Sequence, residues 1–165
     1  MAPRRHLEAL GDLALASRLR RLADRLMADG VRIYQDAGLP FEPRWFGLFH
    51  LLCESAPMSI REAAEALGVS HTAISQAVKE LRRSRLVSST RDPSDGRCRR
   101  LAPTERGLAL RRELEPLWGA FESSARELAD ESGSDLVAAV GAVERALDRQ
   151  PLRERVAARS GTAAQ

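Results

Sequence analysis

The sequence predicts a mainly α-helical protein that carries one small β-hairpin. Three observations support this. Apolar residues recur at helical spacing over most of the 165 residues, in a chain poor in aromatics and rich in Ala, Leu and Arg. Two helix-start signatures, at Ser59 and Ser70, follow one another closely. One stretch, from Leu86 to Leu101, abandons the helical period for β-forming residues around a dense turn signal, Asp92-Pro93-Ser94-Asp95-Gly96.

Residues 1–8 read as a basic end without structure. From about Leu10 to Ala37 the spacing predicts one long helix. Leu15, Leu19, Leu22, Leu26 and Ile33 form a coiled-coil-like seam along it, and charges flank the seam. Such a stripe is too long for a small domain to hide, so a partner helix is expected. Gly30 is a candidate kink. Gly38-Leu39-Pro40 breaks the chain, and a helix from Arg44 to about Glu54 follows Pro43. Its apolar residues, Trp45, Phe46, Leu48, Phe49, Leu51 and Leu52, are too many for one face, which places it at the centre of the domain.

Ser59 with Glu62 spells a capping box for a short helix bearing Ile60, Ala63, Ala64 and Leu67. Gly68 suits a left-handed helix end, Val69 reads as an apolar plug in the turn, and Ser70 caps the next helix. That helix, His71 to about Arg83, buries Ile74, Ala77, Val78 and Leu81. Its other face carries Ser70, His71, Thr72, Ser75, Gln76 and Lys79, then Arg82 and Arg83. Two helices joined by so tight a turn form a helix-turn-helix. A second helix that is polar early and cationic late suits base reading with flanking phosphate contacts; Gln76 can pair with adenine on two bonds.

Leu86 to Thr90 and Arg97 to Leu101 are the expected strands of a wing. Arg91, Arg97, Arg99 and Arg100 crowd it, and Asp92 and Asp95 are placed to hold one or more of them. Arg91, Arg97 and Arg99 join the candidate DNA contacts, since an arginine on a hairpin suits a narrow minor groove. Thr104 caps a second long helix that runs to about Glu131 through Pro116. Gly133 ends it, and Ser134 caps a last helix to about Gln150, with another turn or two over Leu152 to Arg159. The division expected is 1–38 and 104–160 as helical arms around a module at 39–103.

The net charge is only +3, but Lys79 to Arg112 holds +7 and the remainder −4. Positive charge is gathered where phosphates would lie. Cys53 and Cys98 suggest no disulfide framework, and Cys53 reads as an inert buried thiol. No apolar run is long enough to span a membrane, and Met-Ala-Pro-Arg-Arg lacks an adjoining signal core, so the cytoplasm is the expected location. No phosphate loop, metal-ligand spacing or nucleophile elbow is present, so no enzyme, cofactor, metal or catalytic residue is expected.

The run from Ser59 to Gly107 resembles the MarR family of bacterial transcriptional regulators. The resemblance rests on Leu67-Gly68-Val69-Ser70, Val78-Lys79-Glu80-Leu81, Leu86-Val87, the wing Asp92-Pro93-Ser94-Asp95-Gly96-Arg97, and Thr104 with Gly107. Pro103 departs from it, standing where the pattern usually has leucine. The resemblance implies a winged helix-turn-helix flanked by long N- and C-terminal dimerisation helices. It implies a homodimeric repressor on a pseudo-palindromic double-stranded operator, released by a small, often aromatic or anionic effector. The matching crevice would be lined by Arg18, Tyr34, Trp45, Phe46 and His50, although Trp45 and Phe46 serve equally as core. The alternative is a winged helix that turns its polar face to another protein, without base readout.

Overall fold

The computed structural model describes residues 3–92 and 98–161. They form eight α-helices and one two-stranded antiparallel sheet: α1 (Pro3–Ala9), α2 (Leu15–Asp36), α3 (Phe46–Ser55), α4 (Ile60–Leu67), α5 (His71–Arg83), β1 (Val87–Arg91), β2 (Arg99–Pro103), α6 (Glu105–Ser132), α7 (Leu136–Arg149) and α8 (Leu152–Ser160). Short 3-10 turns precede α2 (Gly11–Ala14) and α3 (Pro43–Trp45). The chain divides into two compact units, one up to Glu115 and one from Pro116.

In the first unit the core gathers under α3 and α5. Phe49, Leu52, Leu81, Leu86, Leu101 and Leu114 are fully buried, with Ile74 and Val78 beside them. The apolar stripe of α5 thus faces inward as its spacing requires, with Ala77 half-buried. An aromatic cluster closes the far side. Phe41 packs edge-on against Tyr34 (5.2 Å) and Trp45 (5.8 Å), and tilted against Phe49 (5.4 Å).

The capping chemistry forms as its residues dictate. Glu62 N–H donates to Ser59 Oγ (3.1 Å), and Ser59 N–H donates to Glu62 Oε2 (2.6 Å). Gly68 ends α4 in the left-handed region at φ +64°, and Ser70 Oγ accepts from Ala73 N–H (3.2 Å) to start α5. The strands pair from Val87–Pro103 out to Arg91–Arg99. Pro103 sits at the inner end of that ladder. Leu101 also exchanges two backbone bonds with Met58 (2.7 and 3.1 Å), which ties β2 to the segment before α4.

At the wing's base, Thr104 Oγ1 donates to the Arg85 carbonyl (2.7 Å) and accepts from Gly107 N–H (3.0 Å), starting α6. A Cβ on Gly107 would lie 2.2 Å from the Leu86 carbonyl oxygen, so only glycine fits this crossing. In the second unit α6 ends at Gly133, and Arg155 donates to the carbonyls of Ala146 (2.7 Å) and Gln150 (2.9 Å), fastening α8 to the end of α7.

Several expectations are corrected. Pro3–Ala9 is helical rather than structureless; a proline suits a first helical turn, where its missing N–H costs nothing. The first long helix begins at Leu15, because Gly11 at φ +53° interrupts it. Gly30 does not break α2. It is buried, and its missing side chain admits Pro43, whose Cγ would lie 3.0 Å from a Cβ. Val69 is exposed and does not plug the turn. Trp45 precedes α3 instead of lying within it. Asp135, not Ser134, caps α7, accepting from Ala138 N–H (2.9 Å). Each strand is shifted outward or inward by a residue or two from the span expected.

Gly107→Ala should destabilise the protein by about 1–3 kcal/mol through overpacking, read as a lower urea midpoint. Gly119→Ala, on the exposed side of the same helix with nothing near, should instead be neutral or stabilising. Equal effects at the two sites would contradict the close crossing.

Candidate nucleic-acid interface

α5 is positioned by its buried stripe and by Glu80. Glu80 Oε2 accepts from Trp45 Nε1 (2.8 Å) and lies 3.4 Å from Arg44 Nε. This tie between the second helix of the motif and the start of α3 is not visible in the sequence, because the partners are far apart in the chain. The outward face then presents His71, Thr72, Gln76, Lys79, Arg82 and Arg83, all exposed, with Ser75 half-buried. Ser75 Oγ and His71 Nδ1 are 3.4 Å apart. Ser70 is exposed as well, but its hydroxyl accepts the capping bond and is engaged there.

The wing arginines sort into different roles. Arg91 is exposed at the outer end of β1. Arg99, read from the sequence as a DNA contact, folds onto its own sheet: its Nε donates to Ser89 Oγ (2.8 Å) and its Nη2 to the Ser89 carbonyl (2.6 Å). Arg100 turns toward the helices. Its Nε donates to Asp92 Oδ2 (2.5 Å) and its Nη1 to Glu62 Oε2 (2.7 Å). Asp92 is buried at the end of β1, where its N–H donates to the Cys98 carbonyl (3.0 Å). So Asp92 does hold an arginine of the wing. Asp95 and Arg97 lie outside the described residues.

The Ser59 backbone N–H, the Ser59 hydroxyl and the Arg100 guanidinium, in that order, hold the Glu62 carboxyl below its ordinary value of 4.5. Its two carboxylate neighbours push the Arg100 guanidinium further up.

The five residues of the expected effector crevice are not brought together. Tyr34 and Trp45 are buried in the aromatic cluster. Phe46 is exposed and lies 5.4 Å from the half-buried His50 ring. Arg18 lies 16 residues before Tyr34 on the same helix, about 24 Å away at 1.5 Å per residue. There it lines a groove of 410 Å³ along α2 with Leu15, Leu19, Arg21, Leu22 and Arg25. Cys53 is half-buried, and burial pushes its thiol up, against the opposing pull of Arg111. Among the described residues no group of His, Cys, Asp and Glu could hold a metal, and no helix is long and apolar enough to cross a membrane.

Helix-turn-helix, hairpin and the polar outer face of α5 together define a winged helix-turn-helix protein. Residues 37–97 match the model of the MarR family. Among solved structures the chain is similar to the transcriptional regulator MosR of M. tuberculosis in complex with DNA. That similarity has TM-score 0.68 and 22% identity, over 83% of this chain and 98% of the other. It is also similar to a MarR/EmrR family regulator from Acinetobacter sp. ADP1 (TM-score 0.66, 19% identity, 84% and 98% covered). A third is MepR of S. aureus in a DNA complex (TM-score 0.66, 16% identity, 80% and 97% covered). Comparison with curated proteins by sequence gives no match.

The depressed Glu62 carboxyl fixes a sign. A group whose folded value is lowered stabilises the fold above its unfolded value, and that contribution is lost as pH falls through the folded one. Glu62→Gln should therefore flatten the decline of thermal stability below pH 4.5 relative to the parent chain. Parallel acid limbs for the two proteins would show that Glu62 carries none of it.

Proposed function

We propose that this chain is a sequence-specific DNA-binding transcriptional regulator of the MarR type, acting as a homodimeric repressor of a pseudo-palindromic operator. The observation that carries the reading is the exposed face of α5, polar at its first turn and cationic at its last. A helix of that pattern lays its early residues on base edges and its late ones on phosphates. MosR and MepR, which share the fold, are seen with DNA and support the same use here. His71, Thr72, Ser75 and Gln76 are the base-reading candidates. Lys79, Arg82, Arg83 and Arg91 are the phosphate candidates, with Arg97 at the wing. The reading assigns the chain no catalytic step, and such a regulator works in the bacterial cytoplasm, where its operator is.

The homodimer rests on α2. Leu15, Leu19, Leu22 and Leu26 are 44–54% exposed on a single chain, and burying a leucine fully contributes roughly 1.5–3 kcal/mol. A second copy covering that seam would set two α5 helices about one turn of duplex apart, roughly 34 Å. An aromatic or anionic effector would meet the chain at Phe46 and His50, the ring-bearing members of the expected crevice that reach solvent. Arg18 of α2 would join them only from a second copy.

Binding to duplexes selected from random DNA should weaken steeply with salt and discriminate among sequences. Gln76→Ala should cost about 1–3 kcal/mol at particular base positions only. Arg83→Ala should weaken all sequences alike and lower the salt slope by about 1 per protomer. Indifference to duplex DNA at low salt would defeat the reading and favour a winged helix that docks on another protein.

Sedimentation should give a dimer, and Leu22→Glu, which puts a charge into the exposed seam, should shift it toward monomer and weaken DNA binding. A parent chain that sediments as a monomer at micromolar concentration would remove the two-fold arrangement.

A further inference from the structure

We propose that Arg100 is the positioning residue that sets the wing against the helix-turn-helix, with Glu62 as its anchor on α4. The proposal rests on the DNA-binding reading for its consequence, but its geometry stands apart from DNA. Arg100 uses two different nitrogens on two different carboxylates. Nε goes to Asp92 Oδ2 at 2.5 Å, and Nη1 goes to Glu62 Oε2 at 2.7 Å. Asp92 directly follows β1, Arg100 lies on β2, and Glu62 lies in the first turn of α4. One guanidinium therefore crosses the hairpin and fastens it to a helix 38 residues earlier in the chain.

The anchor is itself fixed. The same Oε2 that receives Arg100 also accepts Ser59 N–H at 2.6 Å, and Ser59 Oγ returns a bond to Glu62 N–H. The carboxylate is thus held by the start of α4 in the pose that Arg100 meets. Asp92 is buried, so an unpaired charge there is strongly unfavourable, and the arginine is drawn to it. A planar fork can serve two carboxylates at once in fixed directions, whereas a lysine ammonium is a single point charge.

The position of Arg100 beside Leu101 separates this role from mere strand formation. Leu101 already ties the inner end of β2 to Met58 by two backbone bonds. The hairpin can therefore persist without Arg100, while its outer part loses the side-chain link to α4. The charge count also separates Arg100 from a phosphate contact. Its cation is bonded to two carboxylates within the protein, so it is not among the cations turned outward for phosphates. Sequence reading grouped Arg100 with the crowd of wing arginines; the contacts assign it inward.

Arg100→Met and Arg100→Lys test this in the full-length chain, first without DNA. Amide hydrogen exchange at Arg91, Asp92 and Arg99 should speed by about tenfold or more in Arg100→Met as the outer hairpin opens more often. The core amides of α3 and α5 should be unchanged, and Arg100→Lys should lie between. Unchanged wing exchange in Arg100→Met overturns the proposal whether or not the protein binds DNA. The second arm uses a duplex selected by the parent chain. Hydroxyl-radical protection should shrink at the flanks of the site and persist at its centre, with the salt slope unaltered. A slope lowered by about 1 per protomer would make Arg100 a phosphate contact and overturn the positioning role. Failure of the parent chain to bind any duplex would defeat the DNA-binding reading, and the exchange arm would then decide the wing anchor alone. If Arg100→Met does not fold, Arg100→Lys supplies both readouts, and a parent-like result in it overturns the proposal.

Discussion

The backbone of Leu86 is the point on which the first unit turns. Its N–H donates to the Leu81 carbonyl (2.9 Å), closing α5, while its own carbonyl accepts from Thr104 N–H (3.0 Å). The Thr104 hydroxyl lies 3.3 Å from that same carbonyl, and the start of α6 presses Gly107 against it. Arg85, in the left-handed region at φ +60°, makes the reversal that brings Leu86 there. The end of α5, the root of the wing and the start of the long C-terminal helix are thus tied at one peptide. Displacing it would move all three together, so the outward face of α5 and the hairpin hold a common frame.

Around that frame the charges divide by the company they keep. Arg44 lies against Glu80, Arg111 against Glu54 (2.5 Å), Arg99 against Ser89, and Arg100 between Asp92 and Glu62. These are structural ties, some across the hairpin and the others between segments distant in sequence. Lys79, Arg82, Arg83 and Arg91 stay exposed on one helix and the adjoining strand. A formal excess of +7 between Lys79 and Arg112 therefore overstates the charge offered to an anionic partner. Guanidiniums bonded within the protein are partly neutralised before any partner arrives.

Much of this was legible in the residue order. Local signals carried their own geometry: the Ser59–Glu62 box, left-handed Gly68, the Ser70 cap, and the inward stripe Ile74, Val78 and Leu81 all form as spacing dictates. Gly107 could be flagged only by pattern, and the reason for it, a carbonyl 2.2 Å from where a Cβ would be, is tertiary. The same limit hid the Glu80–Trp45 bond and the inward turn of Arg100, because neither partner announces the other across 35 or more residues. A single chain does not gather the expected crevice, for a related reason. Aromatic side chains that read as a ligand wall, Tyr34 and Trp45, had a stronger use against Phe41. The break at Gly11 was missed because a leucine seam continued past it.

The composition leaves one practical mark on this architecture. Lys79 is the only lysine in the chain, and it stands exposed on α5. Reagents that acylate side-chain amines thus have a single address, in the middle of the helix face that carries the proposed readout. A fluorophore placed there needs no engineered cysteine. Its emission would report directly on whatever comes to rest against α5.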